Sequence, residues 1–124
     1  MKYEVELYEN GKESIGELSV IFRTQSAALI SDMTEFFRLW HNIEQKYLPR
    51  YGVCDVSYAL YYNKFCRSIP IPQQNFTAQE LAEALSGYIE LFDKLMKGFL
   101  SGRYSGQDVE HLYAEHIARQ SIII

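Results

Sequence analysis

The chain is poor in the residues that force unusual backbone or sulfur chemistry: its 124 residues include two cysteines, three prolines and seven glycines. Each shortage excludes something. Cys54 and Cys66 stand apart, with no C-x-x-C spacing and no second pair. A disulfide framework and a paired-cysteine zinc site are therefore excluded, and free thiols are expected. No apolar run approaches the roughly 20 residues that a membrane-spanning helix needs. The opening Met1-Lys2-Tyr3-Glu4 alternates charge and lacks an apolar h-region, so no signal peptide is expected and the compartment indicated is cytoplasmic. Repeats, low-complexity tracts and flexible linkers are also missing, and a chain of this length reads as a single globular domain, 1–124.

What the chain has in quantity is apolar and aromatic. Hydrophobic residues make up 48% and aromatics 15%, with ten tyrosines, which is enough for a packed core. The net charge is −4 but unevenly spread. Glu4, Glu6, Glu9, Glu13 and Glu17 outnumber Lys2 and Lys12 near the start, whereas Lys46, Arg50, Lys64 and Arg67 outnumber Asp55 between 46 and 67. An acidic total does not provide the sustained basic surface of nonspecific nucleic-acid binding. A polarised surface suits steering toward a protein partner.

The strongest element signal lies at Thr77 to Leu100. Thr77 and Glu80 have capping-box spacing, with Phe76 placed to staple onto Leu81. Leu81, Leu85, Tyr88, Phe92, Leu95 and Phe99 fall on one helical line, and Gly102 supplies a left-handed stop. An earlier helix is expected from Ser26 to Leu48, with a stripe of Leu29, Met33, Phe36, Trp40, Ile43 and Tyr47 broadened by Phe37 and a stop at Pro49. A third helix begins at Ser105, with Asp108 at N3 and Val109, Leu112, Tyr113, His116 and Ile117 inward.

Alternation marks strands at 2–8 and 15–23, joined through Asn10-Gly11 as a hairpin. A two-residue loop there pairs Tyr3 with Leu18 and Val5 with Gly16, and sets Glu4 against Glu17 unless a bulge near Gly16 intervenes. A third strand is expected over 53–62, with Val56, Tyr58, Leu60 and Tyr62 on one face and Tyr61 on the other. Cys54 has inner-face parity. Ile69-Pro70-Ile71-Pro72 reads as a surface crossover, because proline does not sit in a central strand. The expected fold is α+β: a small antiparallel sheet, N-terminal hairpin plus a third strand, covered on one face by two long helices and a shorter C-terminal helix, in the order ββαβαα. The Ile122–Ile124 tail reads as an added strand or a docked plug.

Chemistry is harder to find. His41, His111 and His116 show neither i,i+4 His pairing nor Glu-x-x-His, so no metal site is read, and His111 with Glu115 is a solvated helix pair. No G-x-S-x-G elbow, Walker motif or G-x-G-x-x-G occurs, no cofactor is implied, and no catalytic residue is assigned. The chain reads as a non-enzyme. Tyrosine and arginine, the residues enriched in protein interfaces, crowd one segment: Tyr47, Arg50, Tyr51, Tyr61, Lys64 and Arg67 form the expected partner-binding surface. Glu4, Glu6 and Glu17 form a competing acidic surface suited to a basic partner. The function expected is that of a small non-enzymatic protein that binds another protein and acts by occupying its surface. Immunity proteins and phage-encoded inhibitors of bacterial defence are of this type. The alternative is a small-molecule or nucleotide-binding module with an aromatic pocket between sheet and helices. A homodimer through the Ile122–Ile124 tail is compatible with both.

Overall fold

The structure, a computed structural model, describes the backbone of residues 1–10, 13–61, 63–71 and 77–124, and their side chains except those of 7–10, 13–15 and 69–71. Among the described residues, four strands run β1 (Lys2–Asn10), β2 (Glu13–Ile21), β3 (Ser57–Tyr61) and β4 (Lys64–Ile71). Three helices, α1 (Ala27–Tyr47), α2 (Ala78–Leu100) and α3 (Gly106–Ala118), complete the α+β fold. The sheet is antiparallel throughout, in the order β1-β2-β4-β3.

Local chemistry sets the helix ends. The side chains of Ser26, Thr77 and Ser105 each accept a hydrogen bond from a backbone N–H of the first turn. Ser105 and Asp108 close a full capping box, and at Thr77 the hydroxyl both accepts from the Glu80 N–H and donates to Glu80 Oε1 (3.0 Å). The staple expected from Phe76 lies outside the described residues. α1 passes into a 3₁₀ turn, Leu48–Tyr51, which holds Pro49 and stops at Gly52 with φ +80°. Gly102, at φ +78°, ends α2 as its position implies.

Parity on the strands decides the layers. Tyr3, Leu18, Val20, Phe65, Arg67 and Tyr58 share the face that α1 and α2 cover, while Lys2, Glu4, Glu6, Glu17, Tyr61 and Lys64 share the other. The Phe92 ring is the centre of the core, meeting Tyr3, Phe36, Phe37, Trp40 and Phe65 edge-on or stacked at 5.0–6.3 Å. Phe37 stacks flat on Phe65 at 4.5 Å and so glues α1 to β4. α3 lies against the helices, with Tyr113 edge-on to Trp40. Leu29, assigned to the α1 stripe, is 38% exposed in the first turn.

Three expectations are corrected. The hairpin register is displaced by two residues: Tyr3 faces Val20 and Val5 faces Leu18, in unbroken pairing from Lys2–Ile21 to Asn10–Glu13. Asn10 thus remains in β1, paired with Glu13, and the turn read at Asn10-Gly11 lies in part outside the described residues. An even displacement preserves the faces, and it moves the like-charge pair from Glu4–Glu17 to Glu6–Glu17. Next, the third strand is short, leaving Val53 to Val56 irregular and Cys54 exposed; the face assigned to Tyr62 lies outside the described residues. Finally, Ile69 to Ile71 of the stretch read as a crossover belong to a fourth strand, β4, in the middle of the sheet, and Pro72 lies outside the described residues. β3 pairs only with Lys64–Ser68, so at Pro70 the strand is an edge on that side, where a missing N–H is tolerated.

Candidate functional site

Among the described side chains of the strands, three large apolar ones are exposed: Val5 on β1 and, side by side on β3, Leu60 and Tyr61. Tyr61 is 60% exposed on the uncovered face, and its neighbour Leu60 is 42% exposed on the other side of the strand. Lys64 stands directly across from Tyr61 on β4. The expected acidic surface lies on the same uncovered face rather than elsewhere, at the opposite edge. There Glu4 pairs with Lys2 at 2.9 Å, and the hydrogen bond and charge of Lys2, helped by the charge of Lys64, hold its carboxyl below the usual range. Glu17 accepts from Ser68 Oγ at 3.3 Å, and Glu6 faces Glu17 across the ladder. The two surfaces read as rivals in the sequence are two edges of one open face.

The remaining tyrosines and arginines separate. Tyr51 is 42% exposed on the 3₁₀ turn. Tyr47 is half-buried, edge-on to Tyr113 at 6.0 Å, with the Arg50 guanidinium 4.8 Å over its ring. Lys46 is tied to Glu110 at 3.2 Å. Arg67 is not a surface residue at all: it is 3% exposed and faces the helices. With Arg67 inside and Lys46 paired, the basic excess of this segment reduces to Arg50 and Lys64 against Asp55.

Arg67 belongs to a buried network that sequence reasoning missed. It makes a bidentate pair with Glu44 of α1, Nε to Oε1 at 2.9 Å and Nη2 to Oε2 at 2.8 Å, and Glu44 is fully buried. Tyr58 (3.1 Å) and Tyr88 (3.0 Å) both donate to Glu44 Oε1, and Trp40 Nε1 donates to the Tyr88 hydroxyl at 2.8 Å. The guanidinium also lies 4.6 Å from the Tyr88 ring centre. Burial, seconded by the Glu44 charge, pushes the Tyr58 and Tyr113 hydroxyls up, and burial does the same at Tyr88. All three stay protonated. Burial alone disfavours the Arg67 charge, but Glu44 overcomes it. α1, α2, β3 and β4 are thereby cross-linked at one carboxylate. A signal was present, because Glu44 falls seven residues after Phe37 on the inward stripe.

Beside the exposed edge of β3 runs a cleft of about 140 Å³, walled by Arg38, His41, Tyr58 and Leu60 over Phe37 and Phe65. The His41 ring lies on Tyr58 at 4.2 Å, the partner that the sequence did not reveal. His111 pairs with Glu115 at 3.1 Å, and His116 is half-buried with its pKa lowered, by burial first and then by Arg119. Cys66 is buried with its sulfur 3.6 Å from Ser19 Oγ. Among the described residues, no group of three or more His, Cys, Asp or Glu is placed to hold a metal ion, and no helix is long and apolar enough to cross a membrane. Comparison with protein-family models, with curated proteins and with solved structures gave no match.

Proposed function

We propose that this chain is a binding protein that acts by occupying the surface of another protein, as immunity proteins and inhibitors do. The observation that carries this reading is the uncharged edge strand β3, with Tyr61 60% and Leu60 42% exposed on its two sides. A large tyrosine ring left in water at a strand edge offers contact area at little rotamer cost, and Lys64 beside it adds a positive charge. The acidic edge of the same face, with Glu4 neutralised by Lys2, is the rim.

The test is recovery of the tagged chain from its native host, followed by native mass spectrometry. A protein retained at fixed stoichiometry is expected, lost on Tyr61→Ala with Lys64→Glu and kept on Glu4→Lys with Glu6→Lys. Retention of a small molecule in place of a protein overturns the reading. Loss on the Glu4/Glu6 reversal alone makes the protein an acidic mimic and moves the site to β1.

A further inference from the structure

We infer that the cleft between α1 and the outer edge of β3 takes an extended acidic segment of the partner, which adds to the sheet as a fifth strand. The inference rests on the protein-binding reading and names what is bound. β3 pairs with β4 alone, and among the described residues no other backbone bond reaches Ser57–Tyr61 on the outer side. Such an edge is a template for another strand unless it is guarded. The two edges of this sheet differ in that respect. β1 presents Lys2, Glu4 and Glu6, the charges that block edge pairing, whereas Ser57-Tyr58-Ala59-Leu60-Tyr61 carries none.

The cleft supplies what a bare edge lacks. Its floor is the Phe37–Phe65 stack, and Tyr58 with His41 forms one wall. At about 140 Å³ it is smaller than the roughly 300–1,000 Å³ of a small-molecule site, and it suits one apolar side chain. In a strand added to β3, every second side chain points to the α1 side, into that cleft. The intervening ones stand on the uncovered face beside Tyr61.

Charge chooses the occupant. Arg38 and His41 lie one turn apart on α1, both exposed and both lining the cleft, and among the described residues Arg38 has no ion pair. The carboxylate behind Tyr58, Glu44, is committed to Arg67 and repels little. An incoming Asp or Glu therefore meets the Arg38 guanidinium at the rim. A second copy of this chain fits less well: its β3 brings no carboxylate, and it would set another Arg38 against the first.

The probe is a random linear display library of about twelve residues, panned on the intact chain. Peptides with an apolar residue and an acidic one two positions apart, on the same side of the added strand, are expected. A synthetic version, followed by fluorescence anisotropy, should weaken about tenfold or more on Arg38→Glu and on Leu60→Lys, and be unchanged on Lys94→Glu, which lies on exposed α2 surface. Its binding should protect the amides of residues 57–61 from hydrogen exchange. Arg38→Gln, which keeps the stem of the side chain, should weaken the peptide by a smaller factor at unchanged melting temperature. A library that returns no binder, or basic or uncharged binders, overturns the inference, as does protection elsewhere. So does concentration-dependent protection of 57–61 without peptide, which identifies a second copy. If the partner from the native host is lost on Tyr61→Ala with Lys64→Glu but kept on Arg38→Glu, the groove falls and the protein-binding reading stands.

Discussion

Glu44 carries a charge at a position on α1 where the stripe demands an apolar side chain, and its surroundings show what such a residue requires. Two guanidinium bonds and two tyrosine hydroxyls take up its oxygens, and no buried side-chain polar atom among the described residues lacks a partner. A buried pair of this kind adds little net stability against an apolar pair of equal volume, yet removing one partner strands a charge. Arg67→Met should accordingly cost about 3–5 kcal/mol, read as the urea midpoint. Glu44→Leu combined with Arg67→Met should cost clearly less than the two single changes added, although Tyr58 and Tyr88 each lose an acceptor. Additive losses would show that the pair is not coupled. The Tyr3–Asp93 contact tests a second carboxylate. Burial works to raise the Asp93 pKa, but hydrogen bonds from Lys97 (2.7 Å) and Tyr3 (2.6 Å) overcome it and the group is lowered from 3.8. Its contribution to stability is therefore complete above the ordinary carboxylate range and lost as pH falls through 3.8 toward the lowered value. Tyr3→Phe should flatten the acid limb of a stability-against-pH curve in that window; an unchanged limb would mean that the hydroxyl does not tune Asp93.

At the scale of elements, α2 tests both packing and close approach. Leu95 is fully buried, so Leu95→Ala should cost about 3 kcal/mol through the cavity left behind, while Lys94→Ala on the exposed arc should cost under about 0.5. Gly98 is a sharper case. Alanine is the better helix former by about 1 kcal/mol, but a Cβ there would overlap the Tyr104 ring, which folds back where the Tyr104 N–H bonds to the Gly98 carbonyl at 3.0 Å. Gly98→Ala should therefore lower the denaturation midpoint, by about 1–3 kcal/mol; a gain would mean that Tyr104 swings away freely. The three helices were legible because caps and stripes agree, as at Ser105 with Asp108. The strand faces were legible too, since parity survives a register displaced by two. β4 was not legible: Pro70 argues against a central strand unless one knows that β3 stops opposite Ser68. The same blindness hid the site's interior. Without β4, Arg67 has no parity with Phe65 and reads as one more surface cation, so its pairing with Glu44 is invisible. Tyr61, by contrast, could be placed on the uncovered face from alternation alone.

The molecule as a whole is a sheet open on one side and a helical layer closed on the other, and its last residues belong to the closed side. Ile123 and Ile124 pack on the core, and Ile122–Ile124 cover a slot lined by Tyr88, Leu91, Tyr113 and Ile117 between α2 and α3. No strand forms there, so within the chain the tail is a docked plug. That arrangement gives a prediction with a sign. Deleting Ile122–Ile124 from a plugged monomer uncovers an apolar slot, which should lower stability by about 2 kcal/mol, given three partly buried side chains at roughly 25 cal/mol per Å², and should promote self-association and binding of a hydrophobic dye. Were the tail instead the seam of a homodimer, the same deletion would convert dimer to monomer. Sedimentation of the full-length and truncated chains over a range of concentrations separates the two, because the mean mass rises on truncation in one case and falls in the other. A rise is expected here. It would leave the uncovered face of the sheet, with Tyr61 at its edge, free for a partner while the helical side is already sealed.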